Sequence, residues 1–282
     1  VDYSDSTNAV NLILEDTGIQ ATATIGLDVD KVIDIENIDG SDFSDRFGGN
    51  NQNNIIQSGL GNDTLLASDG NDTLYGGSGN DTLDYSNRNK SIEVTLNGSN
   101  QVDLKEDSIV KDSIKDIENI IGSTVDDTIT GDSNNNTIEG NSGNDTLFGK
   151  DGNDFLQGDA GDDTISGGDG NDVIIGGSYD SSTNTYTDTS LNDTVDYTFI
   201  DVSGSKGIDA DLSTNQVIDL NQNDVDNLNG IENVNGTKFD DTIKGNSENN
   251  TLLGNSGDDT LIGESGDDYL NGGLGNDTIK GG

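Results

Sequence analysis

A frame of nine residues governs most of this chain. Residues 140–175 divide without remainder into GNSGNDTLF, GKDGNDFLQ, GDAGDDTIS and GGDGNDVII, each with Gly at its first and fourth places, Asp at its sixth and Leu or Ile at its eighth. The same frame reads 58–84 as SGLGNDTLL, ASDGNDTLY and GGSGNDTLD, and 254–280 as GNSGDDTLI, GESGDDYLN and GGLGNDTIK. One such unit cannot bury its single apolar side chain alone, so a short period of this kind demands stacked neighbours.

Within a unit the first six places hold Gly, Asn, Asp and Ser, residues that tolerate left-handed backbone and tight turns. The last three have β-forming character and one side chain to bury. This predicts a turn followed by a very short strand, with two units per rung and rungs stacked at about 4.8 Å. The expected fold class is all-β, a parallel β-solenoid with a narrow core ladder of Leu65, Leu74, Leu83, Leu147, Leu156, Ile165, Ile174, Leu261, Leu270 and Ile279.

A longer period lies over the short one. Segments 3–39, 85–121 and 197–235 each open after Val-Asp or Leu-Asp with a Tyr (Tyr3, Tyr85, Tyr197) and close on Ile-Glu-Asn (35–37, 117–119, 231–233) before a Gly restarts the frame at Gly40, Gly122 or Gly236. Three macro-repeats of one continuous solenoid are therefore expected: 1–84 (spacer 3–39, nonapeptides 40–84), 85–196 (spacer 85–121, nonapeptides 122–178, insertion 179–190) and 197–282 (spacer 197–235, nonapeptides 236–282). Alternating apolar residues Val10/Leu12/Leu14, Ile92/Val94/Leu96 and Ile208/Ala210/Leu212, followed by Val102/Leu104 and Val217/Leu220, predict hairpin-like excursions in the spacers. The three tyrosines read as packing against those strands, and the insertion reads as a surface loop. Both ends fall inside the nonapeptide frame, and Val stands at position 1 with no Met anywhere, so more repeats are expected on both sides.

Composition narrows the chemistry. Only 28% of the 282 residues are apolar, and 12 Lys and Arg face 55 Asp and Glu for a formal charge of −43. Such a chain escapes disorder only through regularity or through a cation that removes its self-repulsion. Without Cys or His there are no thiolate or imidazole nucleophiles, bases or soft-metal ligands. The charge opposes nucleic acid and anionic membranes, and no apolar run approaches a membrane span.

The sixth place carries the candidate chemistry. Asp stands there at Asp63, Asp72, Asp81, Asp145, Asp154, Asp163, Asp172, Asp259, Asp268 and Asp277, and in imperfect units at Asp45, Asp127, Asp193 and Asp241. Stacking places like charges about 5 Å apart, which repel unless neutralised. A hard divalent cation between turns resolves this, because carboxylates and turn carbonyls together supply the roughly six oxygens that calcium prefers; magnesium's strict octahedron fits less well. The expected carbonyls lie near Gly59, Gly61, Gly70, Gly77, Gly79, Gly143, Gly152, Gly161, Gly168, Gly170, Gly257, Gly266, Gly273 and Gly275. Units complete on both sides, eighteen residues apart, are 58 with 76, 140 with 158, 149 with 167 and 254 with 272, giving four strong sites. The second unit after each spacer instead has Asn at place six (Asn54, Asn136, Asn250) and no Gly at place four (Gln52, Asn134, Glu248), so those turns are expected to fold with little need of metal.

The stretch Gly76-Gly77-Ser78-Gly79-Asn80-Asp81-Thr82-Leu83-Asp84 resembles the RTX, or hemolysin-type, calcium-binding repeat. The resemblance implies a parallel β-roll, several calcium ions between successive turns, and a bacterial protein exported unfolded by a type I system to fold where calcium is abundant. With a Kd of about 10⁻⁴–10⁻³ M and about 1 mM calcium, each site adds roughly 0.4–1.4 kcal/mol and ten about 4–14 kcal/mol, comparable with a domain's whole stability, so a disordered or loosely collapsed metal-free chain is expected.

Repeat and spacer fill the whole sequence, which favours a non-catalytic calcium-binding structural segment of a secreted or cell-surface protein, of surface-layer or adhesin type. Its expected partners are calcium, neighbouring repeats of the same protein, and either further copies or a cell-surface polysaccharide. The alternative is the C-terminal calcium-binding module of an RTX enzyme or toxin, such as an epimerase, lipase or protease, whose catalytic domain lies elsewhere. Catalysis by a carboxylate pair within the repeats is disfavoured, because the repeat frame already accounts for most of the acids.

Overall fold

The computed structural model describes residues 1–180, 182–183, 185–187, 192–198 and 206–282. Among them there is no helix, and every regular element is a strand, most of three residues. The strands fall where the frame puts them. Places seven to nine form Thr64–Leu66, Thr82–Asp84, Thr137–Glu139, Phe155–Gln157, Val173–Ile175, Thr251–Leu253 and Thr260–Ile262, each flanked by a turn.

Parallel pairing joins units eighteen residues apart. Leu65 lies opposite Leu83 and Leu147 opposite Ile165, while Leu156 faces Ile174 and Leu261 faces Ile279. Consecutive nonapeptides therefore alternate between two sheets, and the place-eight side chains meet between them. Leu65, Leu74, Leu83, Leu147, Leu156, Ile165, Ile174 and Leu261 are fully or almost fully buried. The expected ladder breaks at its end: Leu270 is half-buried and Ile279 is 51% exposed, because among the described residues no strand pairs beyond Tyr269–Asn271 or Thr278–Lys280 to cover them.

The chain divides into two compact units, Val1–Gly131 and Asp132–Gly282. In the first, one sheet runs from Asp28–Ile33 through Gln20–Ile25, Val10–Ile13, Arg46–Gly48, Thr64–Leu66 and Thr82–Asp84 to Asn119–Ile121, and the other from Asn37–Asp39 through Ile55–Leu60 and Thr73–Ser78 to the second spacer. In the second unit the corresponding runs start at Thr137–Glu139 and Thr146–Asp151.

Each spacer is a three-stranded antiparallel meander, where the apolar alternation predicts two strands. The meanders are Val10–Ile13/Gln20–Ile25/Asp28–Ile33, Ile92–Thr95/Val102–Glu106/Ile109–Lys115 and Ile208–Asp211/Gln216–Asp219/Val225–Asn229. Leu220 lies outside a strand. The third strand escapes the sequence reading because charged and amide residues interrupt its alternation: Asp28, Asp30 and Lys31 in one copy, Lys111 and Asp112 in another, Asp226 and Asn227 in the last. In the second and third meanders it rejoins the parallel stack, Ser113 opposite Thr73 and Asn227 opposite Val173. Tyr85 and Tyr197 pack beneath their meanders fully buried, donating hydroxyl hydrogen bonds to Asp112 and Asp226.

The insertion is more ordered than a plain loop. Ser178–Asp180 pairs antiparallel with Thr185–Thr187, and the Tyr179 and Tyr186 rings stack 4.8 Å apart. Residues 181, 184 and 188–190 of the expected loop lie outside the described residues.

Candidate metal centre

The turns are built by glycine at one place above all. Place-four glycines have φ between 98° at Gly70 and 147° at Gly79, conformations that a side chain resists. A Cβ on Gly161 would lie 1.7 Å from the Gly143 carbonyl oxygen, and one on Gly79 1.6 Å from that of Gly61. The Gly152 and Gly257 carbonyls face Gly170 and Gly275 in the same way, and the Gly59 carbonyl faces Gly77. Place four, and place two where it holds Gly77, Gly168 or Gly273, is thus where the carbonyls of one turn press on the next. In the four pairs complete on both sides the contact also reaches the turn itself: Gly59 lies opposite Gly77 and Lys150 opposite Gly168, with bridges Ser142–Ala160 and Ser256–Leu274.

The sixth-place aspartates form a ladder. The amide of Asp63 donates to Asp81 Oδ1 at 2.8 Å, and 2.8 Å bonds repeat from Asp145 to Asp163, Asp154 to Asp172 and Asp241 to Asp259. Asp259 continues to Asp277 at 3.1 Å, and Asn250 donates to Asp268 at 3.0 Å. Each carboxylate thereby spends one oxygen on the backbone of the turn before it.

The second oxygen is the unusual one. Oδ2 of Asp63, Asp81, Asp154, Asp163, Asp172 and Asp259 is buried and has no hydrogen-bond donor. In the full-signature units it lies against the place-one glycine of its own turn: a Cβ on Gly158 would meet Asp163 Oδ2 at 2.1 Å, and one on Gly149 would meet Asp154 Oδ2 at 2.2 Å. Burial is the largest cause pushing these acids upward, since water is withdrawn from the charged form. Asp163 rises to about 8, with Asp145 and Asp193 adding repulsion. Asp81 and Asp154 rise to about 7, and Asp63 and Asp172 to about 6, burial again the largest cause. A buried carboxylate with a bare oxygen is costly, and a hard cation is the partner that its chemistry fits. Among the described residues no three acidic side chains converge on one point, so carbonyl oxygens must complete any such shell.

Other sixth-place residues differ. Asp45, Asp127 and Asp241, first after each spacer, have both oxygens engaged: Oδ2 accepts from the amide of Ser41, Ser123 or Thr237, and Oδ1 from the hydroxyl of the same residue and from the amide of Val10, Ile92 or Ile208. Asp72 Oδ2 accepts from Ser68 Oγ at 2.6 Å. Asp193 Oδ1 accepts from the Asp163 amide. At the asparagine turns the amide group closes its own circuit: Asn54 Oδ1 accepts from the Asn50 amide and its Nδ2 donates to the Glu36 carbonyl, and Asn250 does the same with Asn246 and Glu232.

Two features went unread in the sequence. Place five carries a second ladder of opposite sense, in which Asn62, Asn53, Asn135, Asn153, Asn144, Asp240 and Asp258 accept from the amide eighteen residues later. Its signal was available, because place five is almost always Asn or Asp. The spacers also cap the place-six ladder: the Asp81 amide donates to the Glu118 carboxylate and the Asp193 amide to that of Glu232, while the Asp72 and Asp172 amides donate to the carboxylates of Asp112 and Asp226. The recurrent Ile-Glu-Asn marks the first kind of cap.

A stacked β-roll whose turns present buried carboxylates defines a class of calcium-binding repeat proteins. The family model of the RTX calcium-binding nonapeptide repeat (four copies) matches residues 48–83, 121–156, 148–178, 227–261 and 244–279, together just over half of the sequence. The chain belongs to this family. Among solved structures, the crystal structure of the extracellular lipase LipA from Serratia marcescens is similar at 19% identity with a TM-score of 0.26, over 70% of this chain and 38% of that one, so the chain spans little more than a third of that protein's length. No curated protein matches the sequence.

Proposed function

We propose that this chain is a non-catalytic, calcium-binding structural segment of a secreted or cell-surface protein, of surface-layer or adhesin type, which orders when it meets extracellular calcium. One observation carries the reading: the six buried Oδ2 atoms without a donor fall in all four complete pairs of turns, Asp63 and Asp81, Asp163, Asp154 and Asp172, and Asp259. Bound calcium would supply the positive charge that these oxygens lack, and Asp145 and Asp277 would join it from the opposing turns. Asp45, Asp127 and Asp241 are left out of this ligand set because their oxygens are already engaged.

At micromolar calcium a site of about 10⁻⁴ M affinity contributes almost nothing, and at millimolar calcium it contributes about 1.4 kcal/mol. The carboxylates then repel during export and clamp the roll outside. Isothermal titration calorimetry of the full chain tests the reading. Binding of about four calcium ions or more at sub-millimolar to millimolar affinity is expected, with Asp154→Asn losing one ion; absence of binding, or a stoichiometry indifferent to Asp154, would overturn it.

A further inference from the structure

The turn Ala67–Asp72 has the place-six aspartate of an acidic turn but different surroundings. On one side it rests on the asparagine turn, the Asn54 amide donating to Asp72 Oδ1 and the Asn71 amide to Asn53 Oδ1. On the other it meets the second spacer, where the Asp72 amide donates to Asp112. Neither neighbour offers a second nonapeptide with Asp at place six.

Two cations of the spacer reach this turn. Lys111 Nζ, on a side chain only 12% exposed, donates to the Ser68 carbonyl at 3.3 Å and lies 4.0 Å from Asp112 Oδ1. Arg88 donates to Asp69 Oδ1 at 2.9 Å and is anchored by its Nε to the buried Glu106 at 3.0 Å. The corresponding turn against the third spacer, Gly167–Asp172, has the full glycine signature. There Val225 stands where Lys111 does, and Asp172 Oδ2 has no donor, whereas Asp72 Oδ2 takes Ser68 Oγ.

Building on the calcium reading above, we propose that the turn 67–72 takes no calcium because the chain supplies its own cations there, the Lys111 ammonium and the Arg88 guanidinium. Together with the asparagine turn and the second spacer it forms a block of the first unit that stays ordered without metal. Lysine and arginine neutralise as fixed charges, so this block is insensitive to calcium concentration. Calcium-free order at this point gives the acidic turns a template on which to stack as metal arrives.

Hydrogen exchange of the full chain, followed by mass spectrometry in calcium and in chelator, tests this. In chelator, residues 67–75 should keep their protection within about threefold, while 149–175 lose about a hundredfold or more. Lys111→Val should lower protection of 67–75 in chelator by about tenfold, and Lys111→Arg should retain it. The proposal is overturned if 67–75 opens together with 149–175, or if Lys111→Val changes nothing. If 149–175 keeps its protection in chelator, the calcium reading itself fails and this proposal with it, a result distinct from either of the others.

Discussion

The turn holding Asn136 and the turn holding Asp154 lie eighteen residues apart, bonded through the Asn136 amide to Asp154 Oδ1 at 2.7 Å, yet they solve opposite problems. The asparagine turn uses a neutral side chain whose oxygen accepts from the Asp132 amide and needs no glycine at place four, which is Asn134. The aspartate turn carries a buried charge with one bare oxygen, and its place-four Gly152 has φ 123° with the Asn134 carbonyl 2.6 Å from where a Cβ would stand. One turn is complete in protein atoms alone, while the other has a bare oxygen that the proposed calcium would complete. Asn54 and Asn250 repeat the asparagine arrangement, but their partners eighteen residues on differ, Asp72 Oδ2 accepting from Ser68 Oγ, and the bare oxygens stand instead nine residues on, at Asp63 and Asp259.

The largest test of this contrast is at place four. Gly161→Ala puts a methyl group onto the Gly143 carbonyl at φ 141° and should cost about 3 kcal/mol or more in calcium, whereas Asn134→Ala should cost under about 0.5 kcal/mol. Denaturant midpoints in saturating calcium compare the two. Equal losses would show that place four does not distinguish the turn types.

Asp163→Asn should change sign with the metal. It removes the most strongly elevated acid, so in chelator the variant should be more stable than the parent by about 1–2 kcal/mol, and in millimolar calcium less stable by a similar amount. Melting curves under both conditions decide it, and destabilisation in both would break the assignment.

Proton dependence follows from the same burial. Acids raised to about 6–8 in the fold against an ordinary 3.8 bind protons more tightly folded than unfolded, so their contribution is fully present below about pH 4 and is lost as pH rises through 6 to 8. In chelator the β signal should therefore grow as pH falls from 8.5 to 5, measured by circular dichroism, while calcium affinity weakens over the same range because protons compete for the carboxylates. A metal-free chain that loses order on mild acidification would contradict this.

The smallest calcium-dependent effect is expected at the neutral turns. Asn54→Ala should cost about 1–2 kcal/mol through its lost bonds to Asn50 and Glu36, by the same amount with and without calcium in chemical unfolding. A calcium-dependent loss would show that this turn also relies on metal.

The nonapeptide frame made much of this legible. Leu147 opposite Ile165 and Leu156 opposite Ile174 follow directly from an eighteen-residue rung, and in the four turn pairs the frame marks as complete the strand pairing extends into the turn. The third strand of each spacer was not legible, because Lys111 and Asp112 look like solvent residues until a neighbouring turn supplies their partners. The split within the sixth-place aspartates was hidden for a similar reason. Asp45 and Asp63 share a letter and a place, but Asp45 is satisfied by Ser41 and Val10, the latter 35 residues away, which no local spacing announces.

The most direct measurement is a calcium titration of the full chain followed by far-UV circular dichroism, with magnesium as the control. Most of the β signal should appear cooperatively at about 0.1–1 mM calcium and not with magnesium. Full β signal in chelator, unchanged by calcium, would contradict the account, because the bare carboxylate oxygens would then be tolerated without a metal.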